Sequence, residues 1–274
     1  MDNNPLRQYF RRPSVYIKLP SAGVGYSPDD LVIPESGELP VYPMTAIDEI
    51  TVRTPDALFN GTAVAELIKS CIPNIKNPWV VTSNDMDAIL IGIKAASGND
   101  TLDIDSMCPS CEDISSYGVN LVAILSTLKS GDYATEFSVR DFQVKFRPLT
   151  FKELNDVSLK QFELQKLISS IETVEDAEER EKLGFQTLEK VTMVTMELIA
   201  ASIEYIKTEN LIVQEQEFIL DFLKNCDRNI YGAIRDHNAK LKSATDIKPL
   251  QVTCPSCGHE YEQAFTMNPA DFFG

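Results

Sequence analysis

Two short motifs of the same composition constrain this chain more than any other feature. Met107-Cys108-Pro109-Ser110-Cys111 and Thr253-Cys254-Pro255-Ser256-Cys257 are separated by a little over half of the sequence. A Cys-x-x-Cys turn aims backbone amides at two sulfurs, and two such turns supply the four thiolates of a closed, tetrahedral zinc site. Gly258 after the second motif lets the chain fold back, a freedom that Glu112 after the first does not offer. If one site takes all four sulfurs, the C-terminal tail is clipped to the body around a loop of more than a hundred residues. Closing so long a loop removes much entropy from the unfolded chain. Cys108, Cys111, Cys254 and Cys257 are therefore the expected ligands of a structural Zn2+. An iron–sulfur cluster would use the same four residues, so iron remains open as the metal. A redox Cys-x-x-Cys normally occurs once, at a helix start in a βαβ setting. The start Met-Asp-Asn-Asn-Pro has no apolar signal region, so a reducing cytosol is expected, where disulfides are disfavoured.

Charge and motif content narrow the chemistry further. Forty-one acidic residues against 25 basic ones, a net charge of −16, oppose a surface built to track phosphate. Two histidines leave little room for imidazole catalysis. The sequence has no Walker A, GxGxxG, HExxH or nucleophile-elbow pattern. No apolar run of membrane-spanning length occurs. The expectation is a protein that is not an enzyme and binds neither nucleic acid nor membrane.

The chain reads as an α+β fold in three parts. Residues 1–46 hold seven of the fifteen prolines and form an extended arm, since proline fixes φ and removes amide donors. Its first twenty residues are aromatic and locally basic (Tyr9, Phe10, Tyr16, Arg7, Arg11, Arg12, Lys18), and either dock on a neighbouring surface or pack on the chain's own body. Residues 47–150 with 246–274 form a mixed body closed by a zinc-ribbon-like element made from the two distant knuckles. Within it Asp48–Arg53 alternates like a strand, and Thr54-Pro55-Asp56 opens a helix running to about Ser70, before Pro73. Asn77-Pro78-Trp79 is a turn, Asn84 or Asp85 caps a helix over Met86–Ala96 that Gly98 ends, and Thr101–Met107 is a strand. Glu136–Phe146 alternates with a one-residue slip after Val139, a bulge or a bend. Further β segments follow at Pro249–Thr253 and Glu260–Thr266.

Residues 151–245 form an inserted helical segment, opened by the capping box Thr150-Phe151-Lys152-Glu153. Three helices are expected, near 151–172, 176–207 and 213–242. The third carries an apolar stripe at Ile219, Phe222, Leu223, Cys226, Ile230, Ile234 and Leu241. The second is apolar on more than one face. It is expected at the centre of a bundle, with burial against another chain as the alternative.

Other reactive side chains read as structural. His259 is a strand residue beside a complete set of thiolates, and His237 an edge residue of the third helix. Cys71 and Cys226 read as buried thiols, and Asp85 and Asp87 as cap and dipole residues. The acidic run 175–181 reads as a solvated helix start.

Several segments carry a family likeness. Tyr9-Phe10-Arg11-Arg12-Pro13-Ser14-Val15-Tyr16-Ile17-Lys18-Leu19-Pro20-Ser21 is one, and Ile47–Gly61 another. Ile68–Ile75, Met86–Ile91 and the paired Cys-Pro-Ser-Cys motifs add to it. In these the chain resembles the T-even-type (contractile-tail) bacteriophage baseplate hub and hub-assembly proteins. The resemblance implies a tail protein, made in the host cytoplasm, that builds or forms the baseplate hub as virion subunit or chaperone. It implies as partners other tail and hub proteins, the tape-measure protein among them, and it transfers no catalytic residue; a homo-oligomer is a separate expectation. The alternative from the cysteines alone is a zinc-ribbon nucleic-acid-binding regulator. Its ribbon should carry Lys or Arg, and residues 253–274 contain neither.

Overall fold

The computed structural model describes residues 5–98, 100–171 and 176–265. Over these the chain is α+β, with helices and several small antiparallel sheets. It divides into two compact units. One comprises the residues up to Ser130 together with those from Thr245 onward, and the other is Gly131–Ala244. The division falls ahead of residue 151 because the segment 137–146 pairs with a strand inside the second unit.

In the first unit the arm lies on its own body. Strand β1 (Val15–Ile17) pairs antiparallel with β2 (Leu39–Val41), and Ile17, Leu19, Leu31, Leu39 and Val41 are buried. Arg11 fastens the arm. Its guanidinium donates to the Pro43 carbonyl at 2.7 Å, to Asp48 at 3.2 Å and to the Ser70 carbonyl at 2.9 Å. Burial opposes the charge on Asp48, but hydrogen bonds from Thr45 and Ser70 and the nearby Arg11 outweigh it and hold the carboxyl below its ordinary range. Tyr9, Phe10 and Tyr16 stay exposed.

Asp48–Arg53 is helical, not a strand. Helix α1 (Ala46–Val52) starts at a capping box in which Thr45 accepts the Asp48 amide and Asp48 accepts the Thr45 amide. Those two local bonds override the β-branched character of the segment. The helix expected from Thr54 to Ser70 is two helices, α2 (Pro55–Phe59) and α3 (Thr62–Cys71). Gly61 between them takes a left-handed φ of 77°, which the helix cannot continue through. After a 3-10 turn at Pro78–Val80 comes α4 (Ser83–Ala96), with Thr82 rather than Asn84 or Asp85 at its N-cap. Asp85 is fully buried and ties down the arm. It accepts from the Ser21 amide (2.9 Å) and hydroxyl (2.6 Å) and from Tyr26 (2.7 Å). Cys71 is buried as expected.

Strands β3 (Thr101–Met107) and β4 (Ile114–Asn120) form a hairpin, followed by the short helix α5 (Leu121–Leu125). The expected slip after Val139 is a two-residue turn at Arg140-Asp141. It joins β5 (Phe137–Val139) to β6 (Phe142–Phe146). The capping box forms as read, with the Thr150 amide donating to Glu153 at 2.8 Å and the Glu153 amide to Thr150 at 3.3 Å. It opens α6 (Phe151–Ile171).

The second expected helix stops early. Helix α7 (Ala177–Ala201) ends at Ser202, and Ile203–Lys207 is strand β7, paired with β6 on one side and β8 (Ile212–Val213) on the other. Ile203 and Ile206 satisfy helical spacing, so only the available pairing edge of β6 distinguishes the two states. The third expected helix breaks at Cys226 into α8 (Gln216–Asn225) and α9 (Arg228–Thr245), where Asp227 caps the Asn229 amide at 2.7 Å. The stripe persists across the break. Ile219, Leu223, Ile234 and Leu241 are buried against Val144, Phe146, Ile199 and Ile203, while Cys226 is half-buried. His237 stacks on Phe137 with centroids 4.0 Å apart. Burial, and then Lys240, push its pKa down.

The expected bundle is absent among the described residues. Helices α8 and α9 cover the four-stranded sheet instead, and α7 packs on α6 along one side. Only Thr187, Ile199 and Ala200 of α7 are buried. Strands β9 (Leu250–Thr253) and β10 (Glu260–Gln263) form the last hairpin, and Thr266 lies outside the described residues.

Candidate metal centre

The two cysteine motifs occupy equivalent hairpin tips. Met107 pairs with Ile114 below one tip and Thr253 with Glu260 below the other, so each loop has six residues. One loop is Cys-Pro-Ser-Cys-Glu-Asp and the other Cys-Pro-Ser-Cys-Gly-His. Their backbone bonds match. The Cys108 amide donates to the Asp113 carbonyl and the Cys254 amide to the His259 carbonyl, both at 2.9 Å. The Glu112 amide donates to the Cys108 carbonyl and the Gly258 amide to the Cys254 carbonyl, again both at 2.9 Å. The fifth residue is left-handed in each, Gly258 at φ 73° and Glu112 at φ 60°. Glu112 thus adopts the turn that its side chain disfavours, at a cost of about 1–2 kcal/mol. The loop bonds and the partner hairpin hold it there.

The tips meet head to head. Cys108 Sγ lies 3.7 Å from Cys257 Sγ, and Cys111 Sγ 3.6 Å from Cys254 Sγ. All four sulfurs lie within 4.8 Å of one another. A tetrahedron of sulfurs at the usual Zn–S length has edges of about 3.8 Å, whereas a disulfide needs about 2.05 Å. The first cysteine of each motif is buried and the second exposed, giving the cluster an approximate two-fold relation.

Polar contacts join the flanks. Ser106 shares a hydrogen bond with Tyr261 at 2.9 Å and another with Gln263. Tyr117 donates to the Thr253 carbonyl at 3.2 Å, and Ser256 donates to Asp113. The sequence reading missed these partners. Their signal is positional, since Ser106 and Tyr261 stand beside the cysteines on strands that the motifs bring together.

Apolar burial does little here. Across residues 101–120 and 250–263 only Ser106, Cys108, Val119 and Cys254 are buried. Two hairpins with so small a core are marginal in water without a further staple. The thiols themselves oppose one another. Burial acts to raise Cys108, but the Cys111 and Ser110 amides outweigh it and bring it down to about 7. The Asp113 amide acts to lower Cys111, but the neighbouring Cys257, Cys254 and Cys108 thiols push it up to about 12. The cluster could hold a metal ion. His259 is exposed and stacks loosely on Tyr261, with centroids 6.1 Å apart.

Fold and site together define an α+β protein whose tail hairpin meets a mid-chain hairpin at a four-thiol cluster able to hold a metal ion. The chain belongs to the family described as T4 bacteriophage base plate protein, whose model matches residues 35–274, both knuckles included. No curated protein and no solved structure matches the chain. It is thus a phage baseplate protein, and no described helix is long and apolar enough to cross a membrane.

Proposed function

We propose that the protein is a non-enzymatic component of the baseplate hub or of its assembly, acting through protein contacts on a scaffold closed by structural zinc at Cys108, Cys111, Cys254 and Cys257. The observation that carries this reading is the four-sulfur cluster at the tips of two almost coreless hairpins, in a chain of the baseplate family. Four thiolates complete a tetrahedral shell and leave no open position for a reacting water. Zinc then contributes to folding by an amount on the order of 10 kcal/mol apparent. Partners are other tail and hub proteins, including the tape-measure protein, met in the host cytoplasm during assembly. The exposed Tyr9 and Phe10 of the arm are contact residues suited to that role. Both hairpins lack Lys and Arg and carry Asp103, Asp105, Glu112, Asp113, Glu260 and Glu262, which disfavours nucleic acid.

Two measurements test this. Metal analysis of native protein should return one zinc per chain, and chelation should lower the melting temperature sharply. Absence of stoichiometric metal would remove the zinc scaffold. Pull-down from infected cells, with mass spectrometry of purified particles, should recover hub proteins with the wild type and less with Tyr9→Ser/Phe10→Ser. Recovery of no tail protein, or a salt-sensitive DNA shift, would overturn the reading.

A further inference from the structure

Helix α7 carries a second apolar row that the second unit does not use at its N-terminal end. Along one side α7 meets α6, where Leu164 and Leu167 lie by Met193 and Val194, and Lys160 pairs with Glu197 at 2.7 Å. On the opposite side of the helix, Phe185 and Leu188 are 71% and 64% exposed, with Val191 beside them. This row continues at helical spacing through Thr192 and Thr195 to Ile199, which is buried in the sheet-backed core. The row is therefore covered at its C-terminal end and bare over its N-terminal half.

The charges beside the row state what covers it. Lys182 and Glu189 stand seven residues apart on one edge of the row, both exposed, while the other edge holds Gly184 and Val191. We infer that α7 pairs antiparallel with α7 of a second copy. Centred between Phe185 and Leu188, the pair sets each Phe185 over the other copy's Leu188. The same centring brings each Lys182 to the other's Glu189, giving two symmetric ion pairs. The small Gly184 edge permits close approach. Sliding one heptad toward the N-termini would set Glu181 and Glu178 against Phe185 and Leu188. Sliding the other way would replace the apolar contacts by Thr192 and Thr195. One alignment therefore satisfies both the apolar row and its charged edge. Helix α7 then lies between α6 and the second copy, which accounts for a helix apolar on two faces. The inference rests on neither the metal nor the baseplate role.

Sedimentation equilibrium of the full chain tests it. The wild type should dimerise with a dissociation constant in the micromolar range, and Phe185→Glu should be monomeric with an unchanged far-UV spectrum. Lys182→Glu and Glu189→Lys should each weaken the dimer by roughly tenfold or more, since each places two like-charge pairs at the contact. An equimolar mixture of these two variants should restore wild-type affinity, because both cross-pairs are then opposite in sign. A monomeric wild type, a dimer that survives Phe185→Glu, or a mixture no tighter than its components would overturn the proposal.

Discussion

Helix α4 buries ten of its fourteen residues, whereas α7 buries three of twenty-five. Both carry apolar side chains on more than one face. The difference lies in what the chain places around them. Helix α4 is packed by β1, β2, α3 and α5, so that Ile89, Leu90, Ile91 and Ile93 all leave water. Helix α7 has α6 along one side, with α8 and the sheet covering its C-terminal end. Apolar content states that a helix requires cover. It does not state whether that cover comes from the same chain. In α4 the fit is tight enough that a methyl group added at Gly92 would come within 2.8 Å of Ile17, while one added at Gly184 in α7 would meet nothing within 4 Å.

That contrast can be broken or sharpened by substitution. The largest effect is expected from Ile91→Ala, which opens a cavity in the α4 environment and should cost about 3 kcal/mol in urea unfolding. A cost under about 1 kcal/mol would mean that the surroundings of α4 collapse readily.

Asp87→Asn should act in the other direction. Burial, and then Asp246, push the Asp87 carboxyl up to about 6 from an ordinary value near 3.8. A raised carboxylate costs stability above its folded pKa and is relieved as the pH falls toward the unfolded value. At pH 7.5 the variant should gain about 2 kcal/mol over the wild type. The gain should shrink as the pH falls through 6 and vanish near 4. A gain independent of pH would show that the charge is not its source.

The glycine pair gives smaller, opposite shifts. Gly92→Ala should lose about 1.5 kcal/mol despite the better helix propensity of alanine, because Ile17 is buried and cannot move aside. Gly184→Ala, measured on dilute protein, should gain up to about 1 kcal/mol from propensity alone. Thermal unfolding followed at 222 nm reads both, and two shifts of the same sign would erase the contrast between the helices.

Some elements were legible because their causes are local. The Thr150–Glu153 box, Pro55 at a helix start and the stripe from Ile219 to Leu241 act within a few turns of chain. The helix at Ala46–Val52 was also locally encoded, by Thr45 and Asp48, but its β-branched residues suggested a strand. Strand β7 was not legible, since Ile203 and Ile206 stand at helical spacing and only pairing with the edge of β6, with a register shift between Lys145 and Phe146, makes the segment a strand. The same holds for Glu112, whose left-handed turn is imposed by hydrogen bonds at 108 and 113 and by the partner hairpin.

The sequence by itself determined which four cysteines could hold a metal ion, that the charge balance opposes phosphate, and where the strongest caps start helices. These depend on residue type and short spacing. Tertiary structure alone decided that sulfurs from two distant hairpins converge within 4.8 Å of one another, and that Asp85 anchors the arm. It also decided that α4 is enclosed while half of α7 is bare. Each of these depends on contacts between segments far apart in the chain, where no local propensity acts and only the competition among packed arrangements selects the outcome.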